Sequence, residues 1–89
     1  MQLRRKQRRN GNMNINIQVG EMAIVENGEG FIFVYEQYDE FTPYKQVRVS
    51  DMSIVDAYPE SVLEQVKVGF EMPIGGKVIQ IISREELRL

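Results

Sequence analysis

Met13, Ile15, Ile17 and Val19 alternate with Asn12, Asn14, Asn16 and Gln18. A period of two predicts a strand over 12–19 with one apolar and one amide face. Gly20 permits a bend, and 21–26 reads as a second strand. Asn27-Gly28 is a preferred pair for a tight hairpin turn, with Glu29-Gly30 as the alternative centre. Residues 31–35, Phe-Ile-Phe-Val-Tyr, are apolar on both faces and predict a central strand. Residues 36–43 read as a loop. Residues 44–50 predict a fourth strand, with Val47 and Val49 inward and Gln46 and Arg48 outward, and 52–57 a short fifth.

The second half of the chain mixes two periods. Ser61 and Glu64 stand at capping-box spacing, and Val62, Leu63 and Val66 fit one helical turn. Val66, Val68, Phe70 and Met72 then alternate with Lys67, Gly69 and Glu71, which predicts a strand. The 73–76 turn leads into a last strand over 77–82, and Ser83 with Glu86 repeats the capping-box spacing before a short C-terminal helix. Five to seven short strands with one or two short helices predict a mostly β fold, either a small barrel or two packed sheets. The expected core draws on Met13, Ile15, Ile17, Val19, Ile24, Phe31, Phe33, Val47, Val49, Ile54, Val68, Phe70, Val78 and Ile81. Residues 12–89 are expected to form one small β domain behind a flexible 1–11 tail. A core of this size is marginal alone, so a homo-oligomer is a natural expectation.

Charge changes the picture. The net charge of -2 hides two opposite regions. Arg4, Arg5, Lys6, Arg8 and Arg9 carry five positive charges with no acid among them, whereas 10–89 has six Lys/Arg against thirteen Asp/Glu. Such asymmetry points to an arm that contacts nucleic acid or a membrane surface. No apolar stretch follows the basic cluster, so the N-terminus does not read as a secretory signal. With no Cys in the chain, a cytoplasmic setting and no membrane partner are expected.

The chemistry available is narrow. Without Cys or His the chain lacks a thiol nucleophile, the commonest general base and the commonest metal ligand. No catalytic residue, metal site or cofactor is expected. The carboxylates Glu36, Asp39, Glu40, Asp51 and Asp56 lack a calcium-loop spacing and read as solvated. The glycines join strands rather than open a helix, so they make no phosphate loop. Six of the eight aromatics, Phe31, Phe33, Tyr35, Tyr38, Phe41 and Tyr44, fall within fourteen residues. The two Phe residues of the predicted strand suit the core, and Tyr38 with Phe41 could plug a barrel end. Tyr35, Tyr38 and Tyr44 suit a half-wet surface that could stack bases.

The 4–9 stretch resembles arginine-rich RNA-binding peptides in composition. Arg and Lys there neutralise phosphates and release counterions, and Arg forks onto phosphate and guanine edges. Residues 37–41 are similar to a loop of the Sm-like RNA-binding proteins, but Thr42-Pro43-Tyr44 replaces that family's small, Asn-bearing stretch. Residues 67–73 with 84–86 resemble the carbon storage regulator family at a different spacing. Neither likeness assigns a family. The expectation is a non-enzymatic, regulatory nucleic-acid-binding protein, RNA before DNA. It would act through Arg4, Arg5, Lys6, Arg8 and Arg9 with Tyr35, Tyr38 and Tyr44. The alternative is a protein-binding adaptor or inhibitor that docks its acidic β body or an edge strand, such as 13–19, onto a basic partner.

Overall fold

The structure, a computed structural model, describes residues 15–87. Six strands are seen there: β1 (Met22–Val25), β2 (Gly30–Tyr35), β3 (Tyr44–Arg48), β4 (Ser53–Tyr58), β5 (Glu71–Met72) and β6 (Gly76–Ile82). Two one-turn helices, α1 (Glu60–Leu63) and α2 (Arg84–Leu87), complete the elements. All pairings are antiparallel in one sheet of order β4-β3-β2-β1-β6-β5, curled into a half-barrel. The mostly β architecture follows the sequence reading, and β2 is central as its two apolar faces require.

The predicted 12–19 strand does not form over its described part, 15–19. The backbone has no ladder to join. Ile17 N–H donates to the Val66 carbonyl (2.7 Å), and Gln18 N–H donates to the carboxylate of Glu21 (2.8 Å). Only Ile17 of the alternating set is buried; Ile15 and Val19 are exposed, and Met13 lies outside the described residues. The 66–72 alternation likewise yields only the two residues of β5, because turns interrupt 67–69.

Phe31 and Phe33 of β2 lie wholly buried in a core with Ile17, Ala23, Val25, Tyr58, Leu63, Val66, Met72, Val78 and Ile81. Burying each such ring is worth about 1.5–3 kcal/mol. Direct pairing sets Phe33 opposite Gln46 and Phe31 opposite Arg48. Side chains directly opposite in a ladder share a face, so Gln46 and Arg48 point to the core side and the predicted facing of β3 is inverted. Val47 is buried on the other face, in a row formed by Ile82, Met22, Ile32, Val47 and Ile54 across five strands. Val49 and Ile54, also expected inside, are exposed.

The turns follow local chemistry. Gly28 N–H donates to the Val25 carbonyl (2.8 Å), and Gly28 alone of the Asn27-Gly28 pair takes positive φ, at 95°. The hairpin is therefore a three-residue loop ending in a left-handed glycine. Gly75, at φ 92°, lets the β5–β6 turn press against the β1–β2 turn: a Cβ there would sit 2.6 Å from Val25 Cγ2, and Asn27 N–H donates to its carbonyl (3.1 Å). The Ser83/Glu86 capping box forms, with Glu86 N–H to Ser83 Oγ at 3.3 Å and Ser83 N–H to Glu86 Oε1 at 3.0 Å. The Ser61/Glu64 box does not, because Pro59 takes the N-cap position of α1 without a side-chain cap.

Candidate functional site

The loop 36–43 between β2 and β3 begins from a closed base. Glu36 N–H donates to the Pro43 carbonyl (2.7 Å), and the Tyr35 and Tyr44 rings pair at 5.3 Å across the strand ends. Inside the loop one carboxylate organises the chain. Asp39 Oδ1 accepts the amides of Phe41 (3.2 Å) and Thr42 (3.0 Å); Oδ2 accepts the Thr42 hydroxyl (2.9 Å) and the Lys45 ammonium. Lys45 also donates to the Thr42 carbonyl (3.0 Å). Asp and Thr bond nearby backbone readily, which is why they suit such turns. The Lys45 bond, then the Thr42 bonds, hold the Asp39 carboxyl well below the usual carboxylate range.

Tyr38 and Phe41 project from this loop at 84% and 82% exposure. They therefore plug no barrel end. Tyr35 is 57% exposed, while Tyr44 is half-buried and packs against the core. Burial pushes the Tyr44 hydroxyl up from its ordinary value, with Glu60 adding to the effect. Glu36 and Glu40 are exposed in the same loop. The structure thus gathers Tyr35, Tyr38 and Tyr44 along one loop and its base. Arg4, Arg5, Lys6, Arg8 and Arg9 lie outside the described residues. Sequence reasoning placed Phe41 in the aromatic cluster but not among the site residues, and it missed the clamp. Asp39 three residues before Thr42, with Lys45 three further, was the available signal.

The surrounding surface is acidic. All thirteen Asp/Glu are described, against five cations, Lys45, Arg48, Lys67, Lys77 and Arg84. Two of those five serve acids already: Lys45 holds Asp39, and Arg48 reaches Asp51 (3.2 Å) and Glu29 (3.3 Å). The Ser53 hydroxyl, ahead of Arg48, lowers the Asp51 carboxyl. No group of three potential metal ligands comes together among the described residues, and no helix there is long and apolar enough to cross a membrane. A scan against protein-family models, a search of curated proteins and a search of solved structures each returned no match.

Proposed function

We propose that this chain is a non-enzymatic protein-binding module of the cytoplasm, an adaptor or inhibitor whose acidic β body docks onto a basic surface of another protein. One observation carries this reading: the described residues of the body set thirteen carboxylates against five cations and commit two of the five to ion pairs. A field of one sign steers oppositely charged partners and repels nucleic acid. A second reading rests on the five cations of residues 4–9, which carry no acid among them. In that reading the arm contacts RNA phosphates, as a regulatory nucleic-acid-binding protein would, while the body supplies oligomerisation or a second contact.

The two readings separate in one comparison. The full chain and a full-length variant with Arg4, Arg5, Lys6, Arg8 and Arg9 all changed to Gln are immobilised and exposed to cell extract and to labelled single-stranded RNA. The adaptor reading expects the same basic proteins on both surfaces, released by salt. RNA retained by the wild type alone, with a log–log salt slope near -3.5 (roughly 0.7 per phosphate contact), establishes the arm instead. If neither surface retains anything at low salt, both readings fall.

A further inference from the structure

We infer that the β2–β3 loop is the anchor of this docking surface and that its occupant is an arginine-bearing segment of a partner protein. The inference rests on the protein-binding reading above and names its site. Tyr38 and Phe41, three residues apart on one loop, both present their rings to water, a display of apolar surface that marks interaction sites when it is concentrated. Here both rings stand on a loop tied by five hydrogen bonds among Asp39, Phe41, Thr42 and Lys45, three of them to the backbone. A loop ordered before binding loses less entropy when a partner arrives. Large, rigid aromatic rings in that position resemble the anchors on which interfaces concentrate their affinity.

The flanking charge selects the occupant. Glu36 and Glu40 are exposed in the same loop, whereas the Asp39 carboxylate is already paired with Lys45. Phosphate backbones and anionic lipid surfaces are repelled by that glutamate pair. A guanidinium is attracted by it, and it is also the side chain that stacks best on Tyr and Phe faces while forking onto a carboxylate. An ammonium gains the charge term but not the planar stacking. The loop should therefore prefer Arg to Lys at equal charge. The Lys45 ammonium does not compete for Tyr38 or Phe41, since it is spent on Asp39 and the Thr42 carbonyl.

The test titrates the full chain with fluorescein-labelled nona-arginine and, separately, nona-lysine, reading anisotropy at low and at physiological salt. Nona-arginine is expected to bind more tightly. The double variant Tyr38→Ala/Phe41→Ala should weaken it on the order of tenfold, from about two- to fivefold per ring. Both side chains are exposed, so this variant keeps its fold, and circular dichroism verifies it. Glu36→Gln/Glu40→Gln should weaken both peptides. Affinity for nona-arginine unchanged by the double variant overturns the site while leaving an acidic docking body intact. Equal affinity for the two peptides overturns the arginine preference. Two further results would also overturn the inference. One is binding of labelled single-stranded RNA that disappears in the double variant. The other is a loop reached by the probe only after the arm's five cations are changed to Gln, which assigns the site to this chain's own arm.

Discussion

Gln46 is 1% exposed on the core face of β3, where Oε1 accepts the Tyr58 hydroxyl at 2.9 Å and Nε2 has no partner among the described residues. Burial, with Asp56 contributing, pushes the Tyr58 hydroxyl up to about 12. The pair is therefore neutral, buried and incompletely bonded, which makes it sensitive to loss of either member. Tyr58→Phe leaves a buried amide without its one bond and should cost about 1–3 kcal/mol. Gln46→Ala adds a cavity under Phe33 and should cost about 2–4 kcal/mol. Urea unfolding followed by circular dichroism measures both, and a loss under ~0.5 kcal/mol for either variant would show that the site is solvated. Gln46 also marks how far the sequence can be read. Its polarity argued for an outward place, and Val47 and Val49 beside it argued for an inward one. The outcome was decided by register: β2 brings Phe33 opposite Gln46, and no property of 44–50 alone contains that fact. Phe31 and Phe33 were legible because a strand apolar on both faces has only one place to go.

Elements were legible where the pattern was carried by a partner and a turn, and illegible where alternation stood alone. The β1–β2 and β5–β6 hairpins sit close to their turn signals, whereas 15–19 alternates as a strand should and joins no ladder, the Ile17 and Gln18 amides donating instead to Val66 and Glu21. The loop site was half-legible: the aromatics stand out in composition, but the Asp39 clamp acts across six residues and becomes visible only in three dimensions. Strand β4 shows a different kind of design. It is an outer strand of the sheet, yet it carries a register shift opposite Gln46/Val47 and an acidic residue, Asp56, in its interior. The Asp56 carboxylate accepts the Ala57 amide at 2.8 Å. Bulges and charges inside an edge strand discourage a second chain from pairing there. Asp56→Val should therefore make the protein self-associate, read as a concentration-dependent mass in sedimentation equilibrium. A wild-type mass distribution at every concentration would show that the edge is protected by other means.

At the scale of the molecule the acidic excess and the individual ion pairs respond to pH in opposite ways. Lowering the pH from 7 toward the sequence pI of about 5.1 reduces self-repulsion and should raise the melting temperature. Asp39 and Asp51 act below that. Their folded-state carboxyls are depressed, so their stabilisation is present above the ordinary carboxylate value, near 4, and is lost as pH falls toward their lowered values. Melting followed by circular dichroism should show a maximum near pH 5 and a decline below about pH 4. Asp39→Asn should flatten part of that decline. A melting temperature that falls steadily from pH 7 to 5 would mean that the carboxylates are paired more fully than their partners here allow. The net charge was legible in the sequence; the residues that spend the few cations were not, since Lys45 and Arg48 find their acids through the loop and the turn.

The placement of β6 between β1 and β5 has a consequence in time. β1 pairs on one side with β2, eight residues on, but on the other with residues 78–82, and the turn at 26–27 bonds to Gly75 and Lys77. During synthesis the first hairpin can form early, but it waits with one side of β1 unpaired and Ala23 and Val25 uncovered. A two-stranded hairpin is at best marginally stable alone. Pairings of such long sequence separation fold slowly, and the uncovered strand is exposed to wrong partners meanwhile. The half-barrel therefore completes itself only after residues 76–82 have been made, because β6 is the strand that covers the open side of β1.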